Sequence, residues 1–161
     1  MRMGAKAVAK GILYVIVNAV VFAVGPYLII HFIPQYISGV TINTAILPWI
    51  EVVGGAIALV AFFVGFLKSK TIGHGVAGLV QAGFIATYIY YVIGGGYAGT
   101  FGVFTVSFQS ANITLTIGDI LLISILIVGI SSLIYLAEIV QAIRMRRKVV
   151  PVPAPAAVQT V

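Results

Sequence analysis

Of the chain's 161 residues, 61% are hydrophobic and only 7% are charged, which excludes a water-soluble globular protein because such proteins carry about 25% charged residues. The formal net charge is +6, but the basic residues lie in three groups beside long apolar segments, so we exclude nucleic acid as a partner. The chain contains no cysteine, which also excludes disulfides, iron–sulfur clusters and Cys-based zinc sites.

Four apolar segments approach or exceed the roughly 20 residues that a helix needs to cross a 30 Å hydrocarbon core. They span residues 11–33, 45–67, 72–93 and 119–143. The first segment is longer than the core of an ordinary signal peptide, so we expect it to remain as an uncleaved helix. The segments together predict an all-α membrane protein built as a four-transmembrane-helix bundle.

The basic residues flank these segments on one side only. They are Arg2, Lys6 and Lys10 before the first helix, Lys68 and Lys70 between the second and third, and Arg144, Arg146, Arg147 and Lys148 after the fourth. Connections rich in Lys and Arg remain on the cytoplasmic side of a membrane. We therefore expect a multi-pass protein of the plasma membrane, surrounded by the lipid bilayer, with both termini in the cytoplasm.

The long outer connection from Gly94 to Gly118 changes from a helical pattern to alternating apolar and polar residues. Residues 101–108 and 112–117 predict the two strands of an antiparallel hairpin, and a shorter run at 38–43 predicts one further strand. We expect a small extracellular antiparallel β-sheet whose apolar face needs a cover; irregular loops are the alternative. A glycosylation sequon begins at Asn112.

The four-helix domain ends near residue 148, and the last segment, 149–161, has a different composition. Pro151, Pro153 and Pro155 alternate there with small residues. Because proline cannot continue a helix, we expect an extended cytoplasmic tail.

The outer connections carry no charge. The sequence has no Lys, Arg, Asp or Glu between Phe32 and Ile50, or between Thr71 and Gly118. One explanation is an acidic exterior, where protonated carboxylates lose their ion pairs. The other is burial against partner subunits, because the cores of protein interfaces are depleted of charge.

An ionisable residue inside a membrane span is a functional hypothesis by default. Glu51 lies inside the second helix, next to Trp49, with no basic residue nearby in the sequence. Together with His31, Trp49 and Tyr91 it forms a candidate polar or quinone-binding site at the outer surface; a structural hydrogen bond to another helix is the alternative. An aromatic belt, which could also line a quinone pocket, accounts for the tyrosines near the end of the third helix, namely Tyr88, Tyr90, Tyr91 and Tyr97.

Other polar and small residues have structural interpretations. We expect Asn18 and Gln81 to join helices by hydrogen bonds, and Gly54, Gly55 and Gly65 to permit close helix packing.

The two histidines lie near opposite sides of the membrane and therefore cannot both bind one haem iron. His31 is near the outer end of the first helix and His74 near the inner start of the third. We expect each to be an interfacial histidine, and Glu138 to be the counterion of the basic group that begins at Arg144. The sequence predicts no metal site.

Glu51, followed by Gly54 and Gly55, an apolar run, Gly65–Leu67 and a basic connection, resembles the second helix of the small four-helix DoxX and DoxD-like membrane proteins. One archaeal branch of that family is the membrane subunit of a thiosulfate:quinone oxidoreductase in acidophilic sulfur oxidisers. The resemblance therefore implies a quinone ligand and a thermoacidophilic setting that suits uncharged outer connections.

Three functions remain open. The first is a non-catalytic integral membrane subunit of a larger complex, of the respiratory or electron-transfer kind in an acidophile, because the sequence offers no cofactor ligands, nucleophile or paired carboxylates. Its partners would be other membrane subunits, and we expect no enzymatic activity or bound cofactor from this chain alone. The second is the membrane subunit of a quinone-reducing oxidoreductase. The third is a channel, transporter or envelope protein that self-assembles as a homo-oligomer.

Overall fold

The computed structural model describes residues 4–36, 44–108 and 111–149. Four helical spans in these residues are long and apolar enough to cross a membrane, which confirms the prediction of four hydrophobic helices. Their length and composition indicate a multi-pass membrane protein. In chain order, the apolar spans of helices 1 to 4 are Ala5–Phe32, Thr44–Phe66, Ile72–Ile93 and Gly118–Arg146.

Helices 1, 2 and 3 each contain one π-helical turn. These turns are Val20–Val24, Ile50–Gly54 and Ile89–Ile93. The flanking α-helical parts are Ala5–Ala19 and Gly25–Tyr36, Leu47–Trp49 and Gly55–Phe66, and Ile72–Tyr88, and short 3-10 turns cover Thr44–Ile46 and Gly96–Ala98. Helix 4 is one continuous α-helix, Gly118–Val149. Helices 1 and 4 extend beyond the predicted bounds because the flanking basic residues continue them.

The π turn of helix 1 has a local cause. Pro26 follows it, and proline has no N–H to donate to the carbonyl of Phe22, four residues earlier. The regular α-helical hydrogen bond is therefore missing at this point. π turns are rare and frequently occur at functional sites.

Glycines bring helices 1 and 2 together in antiparallel packing. A Cβ built on Gly65 would lie 3.0 Å from the Cα of Gly11, and one built on Gly54 would overlap the carbonyl oxygen of Phe22. Small residues permit such close approach of two backbones. Gly55, predicted to act in the same way, does not: a Cβ there would meet no atom of the described residues within 4 Å.

Helix 4 packs against helix 3, also through glycines. A Cβ on Gly75 would lie 2.5 Å from Cγ1 of Ile139, and one on Gly78 would overlap the ring of Tyr135. In the most apolar 18-residue stretch of each helix, 33% of the residues are buried in helix 2 and in helix 3. The corresponding share is 0% in helix 1 and 6% in helix 4. Helices 2 and 3 therefore form the centre, and helices 1 and 4 lie at the periphery.

The hairpin connects helices 3 and 4, at the end of the bundle that we call the hairpin end. Strand β1, Val103–Phe108, pairs antiparallel with β2, Ala111–Thr116. Asn112, the predicted glycosylation site, lies opposite Ser107 in this ladder. The predicted strand at 38–43 and most of the tail fall outside the described residues, so a three-stranded sheet is not shown.

Gly102 anchors the hairpin to the ends of helices 3 and 4. Its φ is +73°, its N–H donates to the carbonyl of Gly94 at 2.6 Å, and its own carbonyl accepts from the N–H of Ile117 at 2.8 Å. A Cβ at Gly102 would overlap the backbone of Gly118. This position therefore requires glycine both for its backbone conformation and for space.

Gly102→Ala is expected to destabilise the hairpin attachment by about 3 kcal/mol, combining left-handed strain with a backbone overlap. Gly99→Ala is the matched control: its φ is also positive, +71°, but a Cβ there meets no described atom within 4 Å, so only about 1 kcal/mol is expected. Hydrogen exchange of the Ile117 amide measures the difference. Equal acceleration in both variants would show that backbone strain alone accounts for the effect.

Candidate functional site

Trp49 and Tyr91, two residues of the predicted polar site, lie in direct contact. Their rings are stacked with centroids 5.0 Å apart and planes 7° apart. Tyr90 meets Tyr91 edge to face at 5.0 Å and also stacks on Phe101 at 5.0 Å. The rings form a continuous aromatic series from helix 2 to the hairpin connection, which is typical of the membrane–water interface.

The other two residues of the predicted site do not join this pair. Glu51 is exposed on the π turn of helix 2, and no described residue forms a hydrogen bond or ion pair with its carboxylate. His31 is also exposed; its ring stacks on Tyr27 at 6.1 Å and meets Phe32 edge to face at 5.4 Å. The described residues therefore contain no cluster that unites Glu51, His31 and the Trp49–Tyr91 pair.

Asn18 and Gln81 link helices 1 and 3. Nε2 of Gln81 donates to Oδ1 of Asn18 at 3.1 Å, and Nδ2 of Asn18 donates to the carbonyl of Tyr14 at 2.8 Å. Gln81 is 9% exposed. The pair is an interhelical polar contact of the predicted kind, and neither side chain reaches Glu51.

His74 and Glu138 form the closest polar side-chain contact between helices 3 and 4. Nδ1 of His74 lies 2.6 Å from Oε2 of Glu138, and the two side chains are 11% and 19% exposed. Thr71 fixes the start of helix 3, because its Oγ1 accepts from the backbone N–H of His74 at 3.2 Å. Among the described side chains Glu138 therefore pairs with His74 and not with Arg144, which corrects the predicted counterion, whereas the interfacial position of His74 stays a prediction.

An apolar cavity of about 500 Å³ lies among helices 1, 2 and 3 and the second strand. Each of the three π turns contributes to its wall: Val21 and Phe22 come from the first turn, Ile50 from the second, and Val92 and Ile93 from the third. The three π turns thus line the same cavity. The helical periodicity of the sequence does not predict this arrangement.

Tyr88 also lines this cavity and is the unusual member of its wall. The residue is 2% exposed, and Phe22 meets its ring edge to face at 5.3 Å. Its Oη is buried, with no hydrogen-bond partner among the described residues. Tyr88 is therefore a core residue and not part of the aromatic belt to which the sequence assigns it.

An unpaired buried hydroxyl is costly, by about 1–3 kcal/mol, and native proteins contain few of them. The cavity beside Tyr88 is the candidate functional site for this reason. In the described part of the chain no group of three or more His, Asp or Glu side chains is placed to hold a metal ion.

No family model matches this chain, and neither a curated protein nor a solved structure matches it significantly. The resemblance to the DoxX and DoxD-like proteins therefore stays a prediction.

Proposed function

We propose that this multi-pass membrane protein is a non-catalytic subunit of a larger membrane assembly, and that the surface of helix 2 around Glu51 contacts a partner subunit. The observation that supports this proposal is the exposed carboxylate of Glu51, which lies within an apolar span and pairs with no described residue.

The position of Glu51 makes an unpaired carboxylate unfavourable. It lies seven residues after Thr44, where helix 2 begins, so it sits about 10 Å along the helix axis from that end. Charged side chains in the membrane usually face a bundle interior or a water-filled cavity and pair with one another. A partner that supplies a donor would remove the cost of leaving this carboxylate against lipid.

This chain has no Lys or Arg to offer at that level. Between Lys10 and Lys68 the sequence contains no Lys or Arg, and the single ion pair among the described residues is the distant contact between His74 and Glu138. A Lys or Arg partner for Glu51 would therefore come from another molecule, and Arg is the residue best suited to a bidentate contact with a carboxylate.

The proposed orientation has both termini in the cytoplasm and the hairpin outside the plasma membrane. The basic groups support it through the positive-inside rule. Uncharged outer connections, with the proposed strand at 38–43 completing a sheet beside the hairpin, would then lie against the partner or face an acidic exterior. A respiratory or electron-transfer complex is the kind of assembly that this proposal favours.

Glu51→Gln is expected to reduce partner recovery about tenfold in mild-detergent purification from the native membrane, which corresponds to about 1.4 kcal/mol. The amide keeps the shape of the side chain but loses the charge-assisted contact. Leu59→Ala is the matched control, since Leu59 is 68% exposed on the same helix and carries no charge. Native mass spectrometry measures the stoichiometry.

Glu51→Asp keeps the charge and should recover part of the binding. A wild-type protein that purifies only as multiples of its own 17.0 kDa would contradict a hetero-assembly and favour the self-assembling channel, transporter or envelope protein. Equal partner recovery from Glu51→Gln and Leu59→Ala would contradict the role of Glu51.

A further inference from the structure

We propose that the cavity beside Tyr88 binds a neutral carbonyl lipid, by which we mean a chain-like apolar molecule with an uncharged carbonyl group whose oxygen accepts a hydrogen bond from Tyr88 Oη. The inference is independent of the partner contact proposed at Glu51.

The lining of the cavity indicates that most of the ligand is apolar. Its lining is aliphatic and aromatic, with Ile29, Ile30 and Leu115 among its members, and the volume is about 500 Å³. Pockets for small molecules span about 300–1,000 Å³ and are mostly apolar with few polar groups. A hydrocarbon chain fits such a wall, and a strongly polar molecule does not.

The hydroxyl of Tyr88 determines the polar group. A phenolic O–H is a donor, and in this dry position it has no partner among the described residues. A bound acceptor would remove the cost of burying it unpaired. An ionised acceptor does not fit, because the lining residues include no cation and a buried carboxylate without one is strongly unfavourable. The acceptor is therefore a neutral oxygen such as a ketone carbonyl.

The position of Tyr88 favours a carbonyl lipid without a charged headgroup over an ordinary phospholipid ester. The π turn Ile89–Ile93 separates Tyr88 from the hairpin end of helix 3, a distance of about 7 Å along the axis. Helical side chains also tilt toward the helix N-terminus, which carries this hydroxyl farther from the interface. Phospholipid esters stay near their headgroups, whereas a neutral carbonyl lipid without a charged headgroup enters the hydrocarbon region.

The cavity is accessible from the bilayer along helix 1. Two of its lining residues, Val21 and Ile29, are 55% and 56% exposed. Tyr88 and Ile50, which also line the cavity, belong to the buried core. A ligand would therefore enter laterally between lipid-facing side chains and meet a rigid, buried donor.

The test uses the purified full chain in detergent micelles, a long-chain methyl ketone labelled with ¹³C at the carbonyl, and the alkane of the same length as its matched ligand. We expect about tenfold tighter binding of the ketone than of the alkane, since one hydrogen bond in a dry site distinguishes them. Infrared spectroscopy should show the ¹³C carbonyl stretch at lower frequency in the complex than in hydrocarbon solvent.

Tyr88→Phe should bring ketone binding down to the level of the alkane, leave alkane binding unchanged and abolish the infrared shift. Tyr90→Phe is the matched control, because Tyr90 stacks outside the cavity, and it should behave as wild type. The inference is overturned if the wild-type protein binds ketone and alkane equally or shows no carbonyl shift. Retention of the ketone preference in Tyr88→Phe, or loss of both ligands in that variant, would overturn it as well.

Discussion

Gly54→Ala is expected to lower the free energy of unfolding by about 3 kcal/mol, the upper part of the range for overpacked sites. The added methyl group would overlap the carbonyl oxygen of Phe22 across the contact between helices 1 and 2. A backbone atom cannot rotate away as a side chain can, so the two helices must separate. Unfolding of the purified protein in mixed micelles, with increasing denaturing detergent, measures the loss.

Gly55→Ala is the control for this experiment, one residue along the same helix. Its Cβ meets no described atom within 4 Å, and alanine is intrinsically a better helix former than glycine. The variant should unfold at the wild-type detergent concentration or slightly above it. Equal destabilisation of the two variants would mean that helix 2 does not present Gly54 to helix 1.

The sequence predicts the four membrane spans well because the bilayer, as the solvent, determines their length and composition. A bilayer requires about 20 apolar residues in each crossing helix, irrespective of which neighbours the helix meets. The contact of Asn18 with Gln81 has a similar basis, since a polar side chain in an apolar span needs a partner. These features depend on residue type and depth alone.

The faces of the helices are harder to predict, and the π turns give the reason. A π turn adds a residue to an α-helix, so the side chains after it are rotated by about 100° relative to a regular helix. Ile50–Gly54 contains Glu51, for which a hydrogen bond to another helix is one predicted alternative and which is exposed in the structure. The same turn ends at Gly54, which packs against Phe22 while Gly55 does not.

Tyr88 illustrates a second limit. A tyrosine one turn from the end of an apolar helix fits an aromatic belt equally well whether it faces lipid or core. Only the rotation of helix 3 against Phe22 and Ile50 decides that it is 2% exposed. The cavity follows from three helices and a strand together, so no local pattern in the sequence encodes it.

The contact between His74 and Glu138 shows how far apart the determinants of one interaction can be. The two residues are 64 positions apart, whereas Arg144 is only six residues from Glu138. Sequence proximity therefore favours the wrong partner. Gly75 and Gly78 bring helix 4 close enough to helix 3 for the Glu138 carboxylate to reach the His74 imidazole.

Glu138→Ala is expected to lower the free energy of unfolding by about 2–3 kcal/mol, which is less than the 3–5 kcal/mol of a fully buried pair because both side chains retain some exposure. His74→Ala should cost a similar amount, and the double variant scarcely more than either single one, since each single change already removes the shared contact. Detergent-induced unfolding of the four proteins completes the cycle.

Replacing both partners by leucine distinguishes the effect of losing the contact from the cost of leaving one polar group buried without a partner. His74→Leu with Glu138→Leu removes both polar groups at once, and apolar replacement of a whole buried pair is often close to neutral. This double variant should therefore be more stable than Glu138→Ala. Arg144→Ala is the control, expected to change stability by less than about 0.5 kcal/mol as an exposed surface residue. If Arg144 rather than His74 were the partner, the coupling in the cycle would vanish and Arg144→Ala would reproduce the loss seen in Glu138→Ala.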